Sequence, residues 1–101
     1  MGRRLGQHFL VRQSVLERIA RAACPDSLGP VIEIGPGKGA LTAQLLPLAE
    51  RVIAIEVDPM LVQYLRSKFR ASPNLELIEN DILRVDLAAL KPVVVVGNLP
   101  Y

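Results

Sequence analysis

Four valines in a row, at positions 93–96, leave a chain no polar face to turn toward water. Such a run is expected to form a strand buried on both sides, and strands of that kind belong to parallel sheets covered by helices on both faces. Residues 31–34, 51–57 and 75–78 are further short runs rich in β-branched and apolar residues. The segments between them carry helical signals. Ser14 and Glu17 form a capping box around a face of Leu16, Ile19, Ala20 and Ala23. Leu41, Leu45 and Leu48 recur at helical spacing, with Pro47 placed to kink or shorten their helix. Asp58 and Pro59 are the cap and first position of a helix bearing Leu61, Leu65 and Phe69 on one side. Residues 80–90 read as a loop with one helical turn. Strands alternating with helices predict an open α/β fold.

The chain has 101 residues, half of them apolar, which suits one small domain with a modest core. Twelve Lys and Arg against ten Asp and Glu do not announce a nucleic-acid binder. Their placement says more: Arg3, Arg4, Arg12, Arg18 and Arg21 are opposed only by Glu17, a local patch that suits either phosphates or a solvated face. The single cysteine, Cys24, excludes an internal disulfide and makes a reducing cytoplasm the default. Gln7, His8 and Arg12 interrupt the first apolar stretch, so it does not read as a signal peptide, and no run approaches membrane-spanning length. One histidine and scattered carboxylates show no ligand spacing, so no metal is expected.

In open α/β folds ligands sit at the carboxyl ends of the strands. After the first strand comes Gly35-Pro36-Gly37-Lys38-Gly39, whose glycines permit a sharp turn and close approach of a ligand to the backbone. The spacing is not that of a P-loop, because Gly39 stands where Ser or Thr should follow the lysine. The second strand ends in Glu56-Val57-Asp58, roughly 20 residues on, where a carboxylate can accept from both hydroxyls of a ribose. Asp58 has a structural use as a helix cap, so Glu56 is the candidate. The third strand ends in Asp81-Ile82: an acceptor for an adenine amino group beside an apolar side chain for the ring, or simply a turn.

These three ends suit any adenosine-containing ligand and do not separate NAD from S-adenosylmethionine. The fourth end, Asn98-Leu99-Pro100-Tyr101, does. An exocyclic amine is a poor nucleophile because its lone pair is delocalised into the base. Two acceptors, the Asn98 side-chain carbonyl and the Leu99 or Pro100 main-chain carbonyl, would pyramidalise it and aim the lone pair at a sulfonium methyl. Tyr101 would stack on the extruded base. Catalysis would then be mostly orientation and charge placement, without a dedicated general base.

The stretches RLGQHFL, EIGPGKGALT, AIEVD, ENDIL and GNLPY, in this order and spacing, resemble the ribosomal RNA adenine N6-dimethyltransferases of the KsgA/RsmA type. The resemblance implies a cytoplasmic enzyme with a Rossmann-like S-adenosylmethionine-dependent methyltransferase fold. It also implies transfer of two methyls to each of two adjacent adenines near the 3′ end of small-subunit ribosomal RNA, in ribosome biogenesis. Carried over by motif, His8, Leu10, Gly35, Glu56, Asp81 and Asn98 line the cofactor site, and Gly37 and Ile82 join them from the reading of the strand ends. Asn98, Pro100 and Tyr101 are the catalytic residues facing the target base. The arm motif more often has Asn where His8 stands. The macrolide-resistance rRNA methyltransferases are the alternative, although their last motif tends toward GNIPY; an NAD-binding Rossmann domain is the more distant one.

Family members continue past this last motif with further strands and a small helical RNA-binding domain. The expectation is therefore an N-terminal part: an arm over residues 1–13, and the first half of the methyltransferase domain over 14–101, truncated after the fourth strand. The sheet order implied is 3-2-1-4. Its fourth strand would be an exposed apolar edge through which the fragment self-associates, with little or no activity of its own.

Overall fold

The computed structural model describes residues 13–23, 29–91 and 94–97. In chain order the elements are α1 (Gln13–Ala23), β1 (Pro30–Ile34), α2 (Ala40–Leu45), β2 (Arg51–Glu56) and α3 (Pro59–Lys68). There follow β3 (Leu75–Glu79), a 3-10 turn (Ile82–Arg84), α4 (Leu87–Leu90) and β4 (Val94–Gly97). The four strands form one parallel sheet in the order β3-β2-β1-β4. This is the α/β order that the sequence motifs imply.

Alternation along the strands sorts the core into two faces. On the first, Val31 and Val52 join Ala20 of α1, Leu41 and Leu45 of α2, and Ala49, with Leu75, Val94 and Val96 packed alongside. On the second, Ile32, Ile53 and Ile55 are covered by Ile82, Val85, Leu87 and Leu90 from the turn and α4. Helix α3 packs on β2 and β3. Its start is local chemistry: the Asp58 side chain accepts from the Met60 N–H at 2.8 Å, and Pro59 sits where no N–H is needed.

Several expectations are corrected in detail. The valine strand is not buried on both faces: Val94 and Val96 are half-buried, and Val95 is 42% exposed. Val95 pairs beside Ile32 on the second face, where the cover packs on the isoleucines of β1 and β2. Ile19 is likewise 41% exposed, because α1 turns Ala20 to the core and Ile19 lies about 100° further round. On α3 the fully buried pair is Val62 and Leu65, with Leu61 and Phe69 flanking it. α1 already begins at Gln13, one residue before the expected cap; the Ser14 side chain lies outside the described residues. As Pro47 suggested, α2 is short and ends at Leu45.

The strand register fixes what shares an edge. Ile34 aligns with Ile55 and Gly97, and Glu56 with Glu79. The carboxyl ends of all four strands therefore reach one rim, with the glycine turn and Glu56 side by side on it. At the opposite rim the Asn74 amide donates to the Leu46 and Ala49 carbonyls, at 2.9 and 3.1 Å, tying two loops together.

Candidate functional site

The rim is organised around the turn between β1 and α2. The Gly35 N–H extends the sheet ladder by donating to the Ile55 carbonyl at 3.0 Å. The Gly39 N–H closes back on the Pro36 carbonyl at 2.9 Å, so it is spent inside the turn. Gly35 has φ 67°, and glycine is needed there as it is at Gly37 and Gly39. The latter two also have positive φ, 60° and 88°, in the region that a Cβ disfavours. Their surroundings differ. A Cβ on Gly39 would lie 2.6 Å from the Phe69 ring and 2.9 Å from Leu65, whereas one on Gly37 would meet nothing within 4 Å. Gly39 is therefore a packing glycine, and Gly37 faces open space.

Glu56 ends β2 at 6% exposure. One carboxylate oxygen accepts from the Gly37 N–H at 3.3 Å and the other from the Asp58 N–H at 3.0 Å. The carboxylate is thus aimed at the turn, with one backbone donor on each oxygen and lone pairs remaining. Asp58, by contrast, is exposed and occupied as the α3 cap. The Asn80 N–H donates to the Glu56 carbonyl at 3.0 Å, which holds the end of β3 against the same rim. Asp81 then caps the 3-10 turn, one oxygen accepting from the Leu83 N–H at 2.9 Å, and Ile82 is half-buried against the isoleucine face. Gly35, Gly37, Glu56, Asp81 and Ile82 therefore gather on one rim. His8, Leu10, Asn98, Pro100 and Tyr101 lie outside the described residues.

Two residues on or near this rim escaped the motif reading. Val57 is 64% exposed immediately after Glu56, an apolar side chain left open at a strand end. The signal was its position, one step past the carboxylate. Glu33 is fully buried within β1. The Thr42 hydroxyl donates to one of its oxygens, and the other has no hydrogen-bond partner among the described residues. Burial pushes its carboxyl up to about 7, against the smaller opposing effect of the Thr42 hydrogen bond. A charged residue inside a Val-Ile-Glu-Ile run was the available clue. Among the described residues no group of three His, Cys, Asp or Glu is placed to hold a metal ion, and no helix is long and apolar enough to cross a membrane.

The sequence matches the ribosomal RNA adenine dimethylase family along residues 1–101. The chain belongs to that family. Among curated relatives of this chain, the ribosomal RNA small subunit methyltransferase A of Dehalococcoides mccartyi is 48% identical over 101 aligned residues. That alignment covers 96% of this chain and 35% of the relative, so the chain spans about a third of that relative's length. Among solved structures, the 23S rRNA methyltransferase ErmE superposes with a TM-score of 0.78 at 36% identity, covering 91% of this chain and 37% of ErmE. An RNA methyltransferase from Salinibacter ruber, in complex with S-adenosyl-L-homocysteine, superposes with a TM-score of 0.73 over 86% of this chain and 58% of its own. At 22% identity that likeness shows the fold alone. The fold is the Rossmann-like one of S-adenosylmethionine-dependent methyltransferases, here with strands in the order 3-2-1-4.

Proposed function

We propose that this dimethylase-family chain is the cofactor-binding part of an enzyme that dimethylates two adjacent adenines near the 3′ end of small-subunit rRNA, in the cytoplasm, as ribosomes are assembled. The observation that carries the reading is the Glu56 carboxylate, buried at the end of β2 and held facing the glycine turn by two backbone N–H groups. It is a fixed double acceptor of the kind a ribose diol needs.

The residues present fit S-adenosylmethionine. Gly37 leaves its side of the turn open, so a ligand can approach the main chain there. Val57 and Ile82 offer apolar surface on the ends of adjacent strands for a flat base, and Asp81 keeps a carboxylate oxygen beyond its cap bond for the amino group. His8, Leu10, Gly35 and Asn98 are assigned to the same pocket by motif. When bound, the cofactor supplies an electrophilic methyl on a sulfonium. The protein's task is positioning: Asn98 and the Leu99 or Pro100 carbonyl accept from the adenine amine and turn its lone pair, while Tyr101 stacks on the base. We assign the 101 residues themselves the cofactor-binding role; they span about a third of the relative's length.

Calorimetry of the chain with S-adenosylmethionine, beside an NAD control, tests the cofactor. Tighter binding of NAD overturns the assignment. The likeness to ErmE supports a second reading, a macrolide-resistance-type enzyme acting on large-subunit RNA. Labelled-methyl transfer by the full-length protein decides between them: immature small subunits are the expected substrate, and labelling of 23S rRNA alone favours the second.

The outer edge of β4 is proposed as a strand-pairing surface, occupied in this chain by a second copy. Among the described residues β4 has a neighbour on one side only, and Val95 is exposed there. The β3 edge is guarded by charge, with Glu76 paired to Arg51 and Glu79 exposed. Light scattering on a sizing column should show a dimer or larger species, and a clean monomer at micromolar concentration rejects the idea.

A further inference from the structure

The glycine turn is held from two sides. From β2 come the Ile55 carbonyl and the Glu56 carboxylate, on Gly35 and Gly37. From α3 comes a contact thirty positions away in sequence: the Lys68 ammonium donates to the Lys38 carbonyl at 2.8 Å. That carbonyl belongs to the same peptide unit as the Gly39 N–H, which donates to the Pro36 carbonyl at 2.9 Å. One peptide plane is thus pinned at both ends, and a flip of it would break both hydrogen bonds. The Lys68 ammonium is itself oriented, 5.7 Å from the Tyr64 ring centroid and 5.4 Å from that of Phe69. The Phe69 ring also lies directly beneath Gly39, close enough to exclude a Cβ. A turn with positive φ at Gly35, Gly37 and Gly39 has wide intrinsic freedom, so contacts from outside it must select its shape.

We infer that Lys68 is a positioning residue: it locks the Lys38–Gly39 peptide plane, and with it the glycine turn, in the shape that receives the cofactor. The part concerning the cofactor rests on the reading proposed above; the lock itself does not. The cation is the essential element, because an apolar chain of equal length keeps the contact with the rings and loses the bond to the carbonyl.

Lys68→Met and Lys68→Arg separate these roles. Amide hydrogen exchange by NMR reads the lock without any ligand. In Lys68→Met the Gly39 amide should exchange faster by on the order of two- to tenfold. The Val62 and Phe69 amides, bonded within α3 to Asp58 and Leu65, should not change. Lys68→Arg should restore slow exchange. Calorimetry with S-adenosyl-L-homocysteine should show affinity falling by a similar factor in Lys68→Met and recovering in Lys68→Arg. Unchanged Gly39 exchange overturns the lock, as does uniform acceleration through α3 and the sheet, which marks general destabilisation. A loosened turn with unchanged affinity overturns the positioning role. If exchange responds but even the wild-type chain fails to bind, the lock stands and the cofactor reading falls.

Discussion

The Glu56 carboxylate and the Gly37 N–H meet at 3.3 Å across nineteen positions of sequence, joining the end of β2 to the turn after β1. With the Asp58 N–H on its second oxygen, Glu56 is both a ligand acceptor in waiting and a brace for the turn. Both oxygens face donors, so an amide is no substitute: one N–H would then confront an NH2 group. Glu56→Gln and Glu56→Ala should each weaken S-adenosylmethionine binding by on the order of 1–3 kcal/mol. Asp58→Ala should instead lower stability by about 1 kcal/mol through the lost cap, with affinity nearly unchanged. Paired calorimetry and thermal melts check this. The reverse pattern would transfer the ribose role to Asp58.

Gly37 and Gly39 should respond oppositely to alanine. At Gly39 the methyl meets Phe69 and Leu65 at contact distances no Cβ adopts, in addition to left-handed strain. Gly39→Ala should therefore be strongly destabilising, by roughly 2–4 kcal/mol. Gly37→Ala carries only the conformational cost, about 1 kcal/mol, and places its methyl in the open space proposed for ligand. It should melt near the wild type yet bind cofactor poorly. Thermal melts and calorimetry on the two variants separate packing from binding.

What the chain reveals before folding follows the range of the interactions involved. The Asp58-Pro59 helix start was legible because cap, first position and the bonded N–H lie within three residues. The strands were legible as apolar runs, and the rim followed from the rule that ligands meet strand ends. Exposure of Ile19 was not, because burial belongs to the neighbour that covers a side chain and not to the side chain's own periodicity. No sequence motif singles out Lys68, which lies with Arg66 in the last turn of α3; only the packing of α3 beside the glycine turn gives it a partner. The roles of Asn98, Pro100 and Tyr101 rest on their motif alone.

Asn74 offers a control remote from the site. Its amide donates to two main-chain carbonyls, Leu46 and Ala49, at the opposite rim. Asn74→Ala should cost about 1–3 kcal/mol of stability. Asn74→Asp should cost more at neutral pH, since it turns a carboxylate toward two carbonyl oxygens, and should recover partly in acid. Neither should alter cofactor affinity once both proteins are held well below their melting temperatures. An affinity loss in these variants would show that the two rims are coupled through the sheet.

Glu33 gives the chain a pH dependence of a definite sign. Its carboxyl is raised from 4.5 to about 7, chiefly by burial, with the Thr42 hydrogen bond opposing. Between those values the folded chain keeps a proton that the unfolded chain has released. Rising pH therefore favours unfolding across this window, and the penalty is complete above about 7. At about 1.4 kcal/mol per pH unit, the window is worth up to about 3 kcal/mol. Glu33→Gln removes the titration while preserving an acceptor for the Thr42 hydroxyl. Urea melts at pH 5 and pH 8 should show the wild type losing stability relative to Glu33→Gln as pH rises, and Thr42→Val should steepen the loss by removing a hydrogen bond that favours the ion. Parallel stabilities of wild type and Glu33→Gln across that range would mean that the buried carboxyl finds a compensating partner in solution.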